Sequence, residues 1–186
     1  MKRYIIVLLF VLVLPFSASA QENYSKYQGY VDLSDIEEFK DSDETVEIFI
    51  TKPLLSLVAA ATSSGEDPSF SNLLKNLALI RVETFNVKEK ETTKVKKIIQ
   101  KVSKKLTKEK WSRIVRVKEK DERVEIFIKP DGEKIAGLLI MSLKPDKEAV
   151  FVNIVGNIDM EQLGKLSRKF DIPQLDSLEV KKKSKK

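Results

Sequence analysis

Apolar and polar residues alternate through Thr45–Thr51 (TVEIFIT). Val46, Ile48 and Ile50 fall on one side, Glu47 and Phe49 on the other. A period of two over this length predicts a strand. Pro53 suits the first turn of a helix, and residues 54–61 supply helix formers. Residues 63–68 (SSGEDP) predict a loop and residues 70–77 (FSNLLKNL) a second short helix. Residues 78–87 (ALIRVETFNV) predict a second strand, with Ile80, Val82 and Phe85 as packing positions.

The period then changes. Val95, Ile98, Ile99, Val102 and Leu106 recur at helical spacing and predict an amphipathic helix over 91–106. Lys94, Lys97, Lys101, Lys104 and Lys108 line its other side, which reads as a solvated face. After Trp111 the chain returns to strands at Ser112–Lys118, 124–129, 135–143 and 150–155. Pro130-Asp131-Gly132 and residues 144–147 (KPDK) are the turn signals between the last three. Four runs joined by short turns predict an antiparallel meander. The last two runs are apolar on both faces. Upstream, Ser34 with Glu37 three residues on resembles a capping box and predicts a short helix over 35–40.

The segment EAVFVNIVGNID (148–159) could be a strand, glycine and helix start of the kind that binds phosphate. Such loops carry several glycines or a Gly-Lys-Ser/Thr ending. Here Gly156 stands alone, and Asp159 puts a carboxylate where the anion would sit. The segment is therefore expected to be a core strand, a turn at Gly156 and a helix capped by Asp159, with Met160, Leu163, Leu166 and Phe170 on one face. Asn153 is polar in the middle of that strand. It requires either a buried hydrogen-bond partner or a docking partner on its face.

The expected class is α+β. It has an antiparallel or mixed sheet that includes the four-strand meander, with helices packed mainly on one face. Glu44-TVEIFIT and Glu122-RVEIFIK share six of eight residues. Their continuations differ, helix after one and hairpin after the other. The match is therefore read as two strands under one alternation rule and not as a repeat.

Composition adds location. Lys2 and Arg3, an apolar run over 4–14 and Ala18-Ser19-Ala20 form a signal peptide pattern over residues 1–20. The run is too short to span a bilayer as a helix. Export across the inner membrane is expected, to the periplasm or beyond. Residues 21–30 (QENYSKYQGY) read as a flexible leader, 31–176 as one domain and 177–186 as a basic disordered tail.

The net charge of +6 does not describe the domain. Two of the 34 basic residues lie in the first twenty positions and five in KKKSKK (181–186), so residues 21–180 carry 27 against 28 acidic residues. A neutral body gives no reason to expect nucleic acid. The charges are nonetheless segregated, with nine acids and two lysines in 21–50 and fifteen bases and six acids in 86–123. These regions can pair within the fold, pair between subunits, or face partners.

The chain has no cysteine and no histidine. That excludes Ser-His-Asp triads, thiol nucleophiles and His/Cys zinc sites on inventory alone. Carboxylate, lysine, tyrosine, serine or an oxygen-held metal remain. The acids from Asp32 to Glu47 lack the glycine and spacing of a calcium loop. No catalytic residue, metal site or cofactor is expected.

Several segments carry a resemblance: LSDIEEF (33–39), TVEIFITKPLLSLVA (45–59), LLKNLALIRVETF (73–85), Trp111, VEIFIKPDGEKIAGL (124–138) and VFVNIVGNIDMEQLGKLSRKFDIPQLD (150–176). Together they resemble a family of exported envelope proteins of diderm bacteria, catalogued as a domain of unknown function, number forty-two fifty-two. The resemblance implies a secreted or periplasmic α+β domain. It supplies no functional positions to carry over.

The leading functional expectation is a non-catalytic interaction module of the envelope that binds a protein partner or itself. Asn153, Phe151, Val155 and Met141 are the expected interaction face, because helices on one side of the sheet would leave them needing a cover. A carboxylate- or metal-dependent enzyme is one alternative. Weak contact with an anionic membrane through Lys181, Lys182, Lys183, Lys185 and Lys186 is another.

Overall fold

The computed structural model describes residues 23–39, 44–63 and 68–159. Six strands form one antiparallel sheet: β1 (Thr45–Thr51), β2 (Leu77–Asn86), β3 (Ser112–Lys118), β4 (Arg123–Asp131), β5 (Lys134–Lys144) and β6 (Glu148–Ile158). Their order is β1-β2-β6-β5-β4-β3. Strands β3 to β6 are the expected meander, and β6 closes the sheet by pairing with β2 as well as β5. The helices are α1 (Lys52–Thr62), α2 (Pro68–Asn76) and α3 (Glu89–Lys108).

The α+β class and the antiparallel sheet follow the alternation of the sequence. The helices differ in placement: they divide between both faces instead of gathering on one. Phe85, Phe127, Leu139, Met141 and Phe151 point to one face and pack under Val95, Ile99, Val102 and Leu106 of α3. Their strand neighbours Ile80, Ile126, Leu138 and Ile154 point to the other face and pack with Leu55 and Ala59 of α1 and Leu73 and Leu74 of α2. Strands that are apolar on both faces need a cover on both.

Residues 23–30 are not a free leader. A 3-10 turn at Tyr24–Lys26 starts the segment, and Tyr24, Tyr27 and Tyr30 pack against Leu79 and Val155. Val31, Leu33, Ile36 and Phe39 continue into the core beside α3, the last two on a second 3-10 turn, Ser34–Phe39. Phe39, Phe85 and Phe151 stack in a row, with centroids 4.8 and 6.0 Å apart.

Gly156 is also not a turn. β6 runs through it at φ 142°. A Cβ there would lie 2.5 Å from the Asn76 carbonyl oxygen and 2.6 Å from Leu77 Cα. The facing register of β2 shifts between Leu77 and Leu79. The glycine lets two backbones approach at this irregularity while pairing continues. The helix expected after Asp159, with Met160, Leu163, Leu166 and Phe170, falls outside the described residues, as do residues 1–20 and the lysines of 181–186.

Candidate interaction surface

The expected interaction face is interior. Phe151, Met141, Val155 and Asn153 all have 0% exposure. The cover is the chain's own, since α3 and residues 31–39 lie over Phe151 and Met141 and the three tyrosines over Val155. Asn153 has buried partners. Its Oδ1 accepts from the Val31 N–H at 2.9 Å, and its Nδ2 donates to the carbonyls of Gly29 (3.0 Å) and Leu138 (3.1 Å). This one carboxamide ties the N-terminal segment to the centre of the sheet. Glycines at 29 and 137 allow the approach. A Cβ on Gly137 would stand 2.4 Å from Gly29 Cα, and one on Gly29 would stand 1.9 Å from the Ala136 carbonyl oxygen.

The described acids of residues 32–47 do not converge on one point. Asp35 bonds Lys101 at 2.6 Å, Glu38 pairs with Lys94, and Glu37 lies 3.7 Å from Arg81. Asp32 Oδ1 accepts from the Ser34 N–H at 3.0 Å, and that bond holds its carboxyl below the ordinary range against the effect of partial burial. The acidic turn therefore meets the lysine side of α3 within one fold, and that side is part of an ion-paired contact. Asp41 and Asp43 lie outside the described residues. Among the described residues no group of three or more His, Cys, Asp or Glu could hold a metal ion.

Glu125 is the most buried acid beside the α3–β3 groove. Ser103 Oγ donates to it at 2.8 Å, and Arg123 donates at 2.6 and 3.1 Å. Arg113 and Arg116 stand at 3.5 and 3.8 Å. Burial pushes its carboxyl up. The bonds from Arg123 and Ser103 and the charges of Arg123 and Arg116 outweigh burial and hold it below the ordinary range. These arginines are directed at a carboxylate of their own chain.

The surface feature that the sequence reading missed is at the opposite edge. Among the described residues the exposed large apolar side chains are Val46, Ile48, Phe49, Leu54, Leu57 and Val58. All six fall within thirteen consecutive positions, on β1 and α1. β1 ends the sheet and pairs with β2 alone among the described strands. α1 follows it directly and buries Leu55 and Ala59, which turns Leu54, Leu57 and Val58 outward. The other end strand is different. β3 carries Arg113, Arg116 and Lys118 and has an irregular register between Arg113 and Val115. Cations and bulges are what native sheets use to keep an edge from pairing. β1 has neither.

Alternation in TVEIFIT marks a strand but not how many neighbours it has. Only the strand order shows that this strand is terminal.

The family described as Domain of unknown function (DUF4252) matches residues 23–166. The chain belongs to this family. The DUF4252 match begins where the tyrosine-bearing segment begins, so the tethered residues 23–39 lie within the shared domain. Comparison with curated proteins and with solved structures gives no match.

Proposed function

We propose that this DUF4252 protein is an exported, non-catalytic interaction module of the cell envelope, and that its docking surface is the β1–α1 edge. The observation that carries the reading is that, among the described residues, the exposed large apolar side chains are confined to 46–58, with Leu57 at 67% exposure. Exposed apolar side chains on an end strand that has neither cations nor a bulge, continued on the helix that follows it, mark a surface that docks. Export rests on the signal pattern of residues 1–20. The enzyme alternative draws no support from the acids of 32–38, because each of those described has its own local partner.

Site-specific photo-cross-linking in producing cells tests the reading. A cross-linker at Leu57 is expected to give a discrete adduct that Ile48→Lys abolishes, and one at Lys118 on β3 to give none. The reading is wrong if Leu57 gives no adduct, or one insensitive to Ile48→Lys.

A further inference from the structure

We propose that the partner on this edge is a second copy of the chain, added strand to strand across β1; the proposal rests on the docking edge just described. The first support is an internal comparison. The five residues VEIFI occur twice, in β1 (46–50) and in β4 (124–128). In β4 the motif is paired on both sides, by β3 and β5, and Ile126 is 0% exposed. In β1 it is paired on one side, and Ile48, the equivalent residue, is 42% exposed. Both copies set the phenylalanine beside an arginine, Phe49 against Arg81 and Phe127 against Arg113. The same sequence thus makes an interior strand in one place and ends the sheet in the other.

The second support is register. The Asn86 N–H donates to the Glu44 carbonyl at 3.2 Å, which makes Glu44 and Asn86 a hydrogen-bonded pair of the β1–β2 ladder. Antiparallel ladders alternate, so Ile48 directs its backbone groups toward β2 while Thr45, Glu47, Phe49 and Thr51 direct theirs away. A two-fold axis at Ile48 sets Glu47 opposite Phe49 and Thr45 opposite Thr51 of the other copy. Each such pair then exchanges backbone hydrogen bonds, and the whole length of β1 is used. The same axis sets Ile48 against Ile48 and Val46 against Ile50 on the face that carries α1. It also brings Glu44, the residue before β1, toward Lys52, the first residue of α1, a charge match made twice. Within the single chain the Lys52 ammonium donates to the Lys75 carbonyl. Moving the axis to Glu47 opposes two like charges. Moving it to Phe49 brings Pro53, which has no N–H, opposite Thr45.

Sedimentation of the purified protein tests this. A two-chain mass is expected. Ile48→Lys, which opposes two lysines at the axis, and Glu47→Pro, which removes an outward N–H, are each expected to raise the dissociation constant about tenfold or more. Both positions are exposed, and a native far-ultraviolet circular dichroism spectrum with a cooperative melt shows that each variant still folds. Glu44→Lys and Lys52→Glu should each weaken association, and the double exchange should restore it. A one-chain mass at every concentration overturns the proposal. So does a two-chain mass that survives Ile48→Lys and Glu47→Pro, or an absence of charge rescue. A one-chain mass together with an Ile48-sensitive cross-link from Leu57 to a different protein overturns the second copy but leaves the docking edge standing.

Discussion

Asn153 and Gly29 lie 124 residues apart in the chain and 3.0 Å apart across a hydrogen bond. The bond fixes the N-terminal segment over Val155 and closes the face that the sequence left in need of a cover. Asn153→Leu keeps the volume but strands the Val31 N–H and the Gly29 carbonyl. Each buried group left without a partner costs about 1–3 kcal/mol, so a loss of about 2–6 kcal/mol is expected in chemical denaturation. Limited proteolysis should then cut first within residues 23–39.

Gly137→Ala attacks the same contact from the other strand. Its methyl would enter the space of Gly29 Cα at 2.4 Å and the Gly29 carbonyl oxygen at 2.6 Å. Both obstacles are backbone and cannot rotate away. Overpacking of this kind costs about 1–3 kcal/mol. Hydrogen exchange should report faster opening of residues 23–33 and little change in α3.

Glu125 makes stability depend on acid. Its folded carboxyl sits below the ordinary range, so its contribution is fully present above the ordinary glutamate value of about 4.3 and is lost as pH falls through the lower folded value. Glu125→Gln leaves Arg123 buried without its counter-charge, at a cost of about 3–5 kcal/mol near neutral pH. Denaturation at several pH values should show the gap between wild type and variant narrowing below about pH 4.

Leu57→Glu separates fold from docking. Leu57 is 67% exposed and belongs to none of the core clusters. Its change to glutamate is expected to alter the stability of a single chain by about 0.5 kcal/mol or less, read from the thermal melt of the protein on an Ile48→Lys background. On the wild-type background the same change should lower the association seen by sedimentation.

Local periodicity made most of the elements legible. The stripe Val95-Ile98-Ile99-Val102-Leu106 marked α3, and alternation with turn residues marked the strands. Asn153 stood out as a polar residue in an apolar strand, and one of its two expected explanations, a buried partner, is the one found. The tethered segment was not legible, because QENYSKYQGY is polar in composition. Its packing depends on tyrosine rings and on the approach of Gly29 to Gly137, a contact 108 residues away in sequence. The docking edge was hidden for a similar reason. VEIFI reads alike in β1 and β4, and what separates them is that β6 inserts between β2 and β5. That pairing leaves β1 at the end of the sheet, and no window of local sequence records it.

Amide hydrogen exchange at Phe49 tests the central claim most directly. Its N–H points away from β2, whereas the Ile48 N–H points toward it. If a second copy pairs on this edge, the Phe49 amide exchanges slowly, its protection rises with protein concentration, and Ile48→Lys removes that protection. The Ile48 amide of the wild-type protein stays protected at every concentration. A Phe49 amide that exchanges at the rate of an open surface at all concentrations, beside a protected Ile48, would contradict the account.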